Sequence, residues 1–127
     1  MTITVTNNPI LLDILAIAGD TLDNWSIKFA DSDGVAYDIS TFDFYFVVKK
    51  SYKTADSEAV VSKAPADAVK SDSGSGVVDT LSFPLTPAET EFAPGKYVHA
   101  IKLLDGTDER TWVEGLFTLT QRRIDTI

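Results

Sequence analysis

Pro94-Gly95-Lys96-Tyr97-Val98-His99-Ala100-Ile101-Lys102-Leu103, followed by Asp105-Gly106 and then by Thr111-Trp112-Val113-Glu114-Gly115-Leu116-Phe117-Thr118-Leu119, is the stretch that decides the fold. With a period of two, Tyr97, His99, Ile101 and Leu103 share one face. Val113, Phe117 and Leu119 share a face on the returning run, with Gly115 between them. Two half-buried strands joined by a short polar loop form a β-hairpin, the repeating unit of antiparallel sheets.

The same alternation recurs upstream. Phe42, Phe44, Phe46 and Val48 oppose Asp43, Tyr45, Val47 and Lys49. Trp25, Ile27 and Phe29 oppose Ser26, Lys28 and Ala30, ahead of a turn at Asp31-Ser32-Asp33-Gly34. Leu11 to Ile17 is an apolar run ended by Gly19-Asp20 and reads as a strand, and Val35–Ile39, Ala59–Lys63 and Thr80–Leu85 add short extended pieces. Thr2 to Thr6 alternates Thr with Ile3 and Val5, which suits an extended arm or edge strand, broken by Asn7-Asn8-Pro9. Ala64 to Gly76 reads as the most loop-like part of the chain. Thr86-Pro87-Ala88-Glu89-Thr90-Glu91 reads as a single helical turn, with Thr86 at its N-cap, Pro87 first and Glu89 closing a capping box.

This pattern predicts an all-β fold, an immunoglobulin-like antiparallel β-sandwich of about seven strands with one short helical turn. Residues 1–10 are expected as the arm, 11–121 as the sandwich and 122–127 as a tail. Each large inward ring stabilises such a core by roughly 1.5–3 kcal/mol. The length of 127 residues suits one domain. Eleven basic against nineteen acidic residues give a net charge of −8, which opposes nucleic acid and anionic membrane as partners. The absence of cysteine removes disulfides and thiolate chemistry. Ile10 to Ala18 is interrupted by Asp13 with no positive charge before it, unlike a signal peptide, and no apolar run reaches the roughly 20 residues of a membrane helix.

Candidate chemistry is sparse. His99 is the only histidine and sits in mid-strand, so it reads as a core or interface residue rather than a catalytic one. Asp31, Asp33 and Asp38 resemble a fragment of a calcium loop without its terminal glutamate; the plain alternative is an Asp-rich turn bonding nearby amides. Glu89, Glu91, Asp105, Asp108, Glu109 and Glu114 offer no pair singled out for glycoside chemistry. Ser73-Gly74-Ser75-Gly76 lacks a phosphate loop's lysine and reads as flexible linker. Lys49, Lys50, Lys53, Arg122 and Arg123 are the densest basic positions, suited equally to solubility or to acidic surfaces on neighbours.

Gly19-Asp20-Thr21, Asp31-Ser32-Asp33-Gly34 with Asp38-Ile39, Leu85-Thr86-Pro87-Ala88-Glu89-Thr90, Pro94-Gly95-Lys96-Tyr97 and Gly115-Leu116-Phe117-Thr118-Leu119 occur in an order that resembles small β-sandwich domains of tailed-bacteriophage structural proteins. Baseplate upper protein N-terminal domains and related tail or fibre modules are of this kind. The resemblance runs from Gly19 to about Thr120. It implies a non-enzymatic virion component of tail, baseplate, neck or head fibre, without cofactor, metal or small-molecule substrate. Its expected partners are other virion structural proteins and copies of itself. Similar modules often continue into further domains, so the end soon after Ile124 implies a stand-alone subunit. The residues expected to carry assembly are Ile3 and Val5 in the arm, Tyr45 and Trp112 on outward strand faces, and Arg122 and Arg123 in the tail. The alternative is a carbohydrate- or receptor-binding module that stacks ligand on Tyr45, Tyr52 or Trp112.

Overall fold

The computed structural model describes the backbone of residues 2–4, 10–105 and 108–121, and the side chains of 10–104 and 110–121. The chain is nearly all β, in two sheets that enclose one core. Its strands are β1 (Thr2–Thr4), β2 (Ile10–Leu11), β3 (Ile14–Ile17), β4 (Ile27–Ala30), β5 (Asp43–Lys49), β6 (Val61–Lys63), β7 (Val69–Ser71), β8 (Thr80–Ser82), β9 (Gly95–Asp105) and β10 (Asp108–Thr120). One sheet has the order β1-β4-β8-β7. The other has the order β2-β10-β9-β5-β6, with β3 continuing along β10 after β2.

The hairpin is the long β9–β10 pair, and its alternation is realised as read: Tyr97, His99, Ile101 and Leu103 of β9 and Val113, Phe117 and Leu119 of β10 are all buried. Phe44, Phe46 and Val48 of β5 join them, and Ile27 and Phe29 of β4 with Leu81 of β8 close the core from the opposite sheet. Phe29 stacks on Phe44 and Phe46 stacks on Phe83, so the two sheets meet through aromatic pairs.

Several expectations are corrected. The sheets are not purely antiparallel: β1 runs parallel to β4, and β2 and β3 run parallel to β10. Parallel neighbours cannot be joined by a tight hairpin, and in each of these pairs other strands intervene along the chain. The strands number more than seven, because the Leu11–Ile17 run breaks at Leu12-Asp13 and the supposed loop at 64–76 contains β7. Val69, Lys70 and Ser71 pair with Ser82, Leu81 and Thr80, so partner backbone overrides weak local propensity there. Asn24 and Trp25 lie before β4 rather than in it, and Val35–Ile39 supplies only a single bridge, Ala30 to Ala36.

The helical turn is also displaced. Two short 3-10 turns occur elsewhere, Asp56–Glu58 and Pro65–Asp67, whereas Thr86–Glu91 forms a hydrogen-bonded turn. Its capping box is present nonetheless: the Glu89 amide donates to Thr86 Oγ1 at 3.3 Å, and the Thr86 amide donates to Glu89 Oε1 at 2.9 Å. Thr90, fully buried, ties this turn to the start of the chain by donating from Oγ1 to the Asp20 carbonyl at 2.7 Å.

Candidate functional site

The N-terminal strand is cut in two at Leu12-Asp13, and the residues around that cut explain it. The Leu12 amide donates to the Glu114 carbonyl at 2.8 Å, and the Leu12 carbonyl accepts a hydrogen bond from His99 Nε2. That carbonyl lies so close to Gly115 that a Cβ there would stand 2.1 Å from it, so only glycine fits. Asp13 then turns its carboxylate back, and Oδ1 accepts the Leu116 amide at 3.0 Å. His99, Gly115 and Asp13 together hold the kink that separates β2 from β3.

His99 is 1% exposed, and its Nδ1 has no hydrogen-bond partner. Donation to a carbonyl places a proton on Nε2, and a second proton on Nδ1 would be a buried donor without an acceptor. Burial holds its pKa below the ordinary value, against the opposing pull of the Leu12 bond and the Asp13 charge. The expectation of a packing histidine matches this position.

Beyond the kink, β2, β3 and β10 present an apolar outer face. Ile14 and Ala16 point into the core, which turns Leu11 (71% exposed), Leu15 (68%), Ile17 (44%) and Leu116 (45%) to the outside. By register Leu11 stands beside Glu114, Leu15 beside Thr118 and Ile17 beside Thr120, while Leu116 adjoins Val98 of β9. Tyr52, itself half exposed, reaches this face and donates its hydroxyl to the Gly115 carbonyl at 3.3 Å. Partial burial raises the Tyr52 pKa, and the nearby negative charges of Glu114 and Asp13 add to it.

The other half of the same sheet face is covered. Val47, Lys49 and Ala100 are buried although their strands turn them away from the core. The connection between β5 and β6 folds over them and is anchored by Asp56, whose two carboxylate oxygens each take a lysine: Oδ1 to Lys49 Nζ and Oδ2 to Lys102 Nζ, both at 2.9 Å. The bonds from Lys102 and Lys49 hold the Asp56 carboxyl below its usual range. Lys49, read as suited equally to solubility or to acidic surfaces on neighbours, is thus spent inside the molecule. Tyr45 lies on this face, half-buried, opposite Lys102.

Trp112 does not point outward. In β10 the register shifts between Thr111, opposite Lys102, and Val113, opposite Ile101, which leaves Trp112 as the extra residue of a β-bulge. The bulge turns its ring toward the core beside Val113, where it meets Phe29 and Phe44 at 5.6 Å, Phe42 at 5.9 Å and Tyr37 at 6.1 Å. Strict alternation misses this because one inserted residue inverts the pattern. Ile3 pairs through its backbone with Phe29 of the same chain, so the first residues of the expected arm belong to the smaller sheet. Val5, Arg122 and Arg123 lie outside the described residues.

The remaining polar groups are engaged structurally. Asp31 Oδ1 accepts the amides of Asp33 and Val35 at 2.9 Å, and Asp38 Oδ1 accepts the Ser40 amide, as Asp-rich turns do. Among the described residues no group of three His, Cys, Asp or Glu is placed to hold a metal ion. Glu89 pairs with Lys63.

Ser73-Gly74-Ser75-Gly76, expected as linker, is an ordered loop built on two aspartates. Asp72 Oδ1 accepts the amides of Gly74, Ser75 and Gly76, and fully buried Asp79 accepts the Ser73 amide and the hydroxyls of Ser73, Ser75 and Thr80. Burial pushes the Asp79 carboxyl up, but these donors outweigh it and bring the pKa down to about 2. The Asp-Ser-Gly composition that reads as disorder is also the chemistry of side chains that bond backbone amides. An aspartate six residues past Ser73 was the available signal.

No protein-family model matches the chain, and no curated protein matches it.

Proposed function

We propose that the chain is a non-enzymatic structural subunit of a tailed-phage virion, a component of tail, baseplate, neck or head fibre that works through protein contacts. The observation that carries this reading is the open apolar half of the β2/β3/β10 face. Leu11, Leu15, Ile17 and Leu116 are exposed together on a molecule of net charge −8, where scattered single residues would need no account. The groups with chemical potential, His99, Asp79 and Asp56, are meanwhile occupied in holding the fold.

The finer fold in this reading is an immunoglobulin-like sandwich of variable type. In its support, β1-β4-β8-β7 follows the strand order A-B-E-D, and β10-β9-β5-β6 follows G-F-C-C′. Tyr97, near the start of the strand in the F position, donates its hydroxyl to the Ala93 carbonyl at 2.5 Å, as a tyrosine corner does. The parallel β1–β4 pair departs from that pattern.

Leu116→Glu tests the reading, because it charges the open face at an exposed position. Particles produced with this variant are expected to lack the subunit while the purified domain keeps its wild-type circular dichroism. Normal incorporation of Leu116→Glu would count against assembly through this face.

A further inference from the structure

We propose that β3 is a self-pairing edge, through which two copies of this chain join their larger sheets into one across a two-fold axis. The inference deepens the assembly reading and rests on it only in taking copy-to-copy contact as the chain's work. Three observations carry it. Among the described residues no strand lies beyond β2 and β3 in their sheet, so β3 is an edge. Ile14-Leu15-Ala16-Ile17 carries no charged residue, proline or bulge, devices that keep an edge from pairing. The outward residues of that edge, Leu15 and Ile17, are exposed and apolar.

The backbone fixes the register. The Ala18 amide donates to the Thr120 carbonyl at 2.9 Å, so the alternation of the ladder sends Ala16 and Ile14 toward β10 and turns the amides of Leu15 and Ile17 to the open edge, where the Ile17 carbonyl also accepts the Asp20 amide of its own chain at 3.0 Å. An antiparallel pair centred on Ala16 sets Leu15 opposite the partner's Ile17, and Ile17 opposite the partner's Leu15. The bond-forming residues of both edges then meet, and their side chains share the outer face. The ladder of this register lies within β3, between the kink at Leu12-Asp13 and the turn that follows Ile17, whereas a pair centred on Leu15 draws in the kinked backbone at Asp13. Each copy carries −8, so salt that screens their repulsion strengthens the pair.

Sedimentation equilibrium of the purified chain tests this. The expected result is a mass that rises with concentration from 13.8 kDa toward twice that value, and further in high salt. Leu15→Glu alone and Ile17→Lys alone are expected to stay monomeric with unchanged circular dichroism. The double variant Leu15→Glu/Ile17→Lys regains the dimer, because this register sets each introduced carboxylate opposite an introduced ammonium. A monomer at every concentration, a dimer indifferent to the single changes, or a double variant that stays monomeric would each overturn the proposal. A chain that is monomeric in solution yet excluded from particles by Leu116→Glu would sink the self-pairing and leave the assembly reading standing.

Discussion

His99 and Gly115 face each other across β9 and β10, and between them they accept the Leu12 carbonyl into the sheet. Gly115→Ala is expected to destabilise the fold by about 1–3 kcal/mol in urea denaturation, since the clash is with backbone that has no rotamer to yield. His99 gives the kink a pH dependence whose sign follows from linkage. Its folded pKa is depressed, so the native state refuses a proton that the unfolded chain accepts; stability is full above about 6.5 and falls as pH drops below that value. Asp79, with a folded pKa of about 2 against an ordinary 3.8, adds stability that is present above about 4 and lost as pH falls toward 2. Denaturation midpoints measured across pH are therefore expected to decline in two stages. His99→Gln, which keeps a donor for Leu12, should flatten the first stage and leave the second; an unchanged slope between pH 6.5 and 5 would show that the proton goes elsewhere.

At the scale of elements, the β9–β10 hairpin and β5 were legible because a period of two names their core-facing residues directly. The legibility fails where a side chain's environment is set by something outside its own strand. Trp112 is inverted by a one-residue bulge, and Val47 and Lys49 are buried by a connection that no alternation encodes. The strand β7 was missed because its three residues are held by β8 rather than by their own propensity. Two predictions follow from these overrides. Trp112→Ala, which empties the centre of a five-ring cluster, is expected to cost about 2–3 kcal/mol, below the roughly 3–5 of a fully enclosed ring because Trp112 is only half-buried. Asp56→Ala removes two ion pairs from a partly exposed carboxylate and should cost less than about 1 kcal/mol globally, yet raise amide hydrogen exchange across residues 50–60, where those pairs are the anchor.

For the whole molecule, the sequence already spoke for two apposed sheets and an acidic surface. The site read from it was less faithful. The arm, outward strand faces and tail were singled out by position, whereas four exposed apolar residues gather on β2, β3 and β10, three of them in a run that read only as one more strand. Which face of that run is dry depends on the kink at Leu12-Asp13, and the kink depends on His99 and Gly115, about ninety residues further along the chain. On the proposed reading, the β3 edge and the exposed apolar residues beside it are where the subunit is joined. The measurement that bears most directly on the proposed reading is quantitative mass spectrometry of gradient-purified tailed-phage particles released from cells that produce the chain. The account predicts the protein at a fixed copy number per particle, co-purifying with the tail or head proteins. Its production in infected cells together with its absence from intact particles would contradict it.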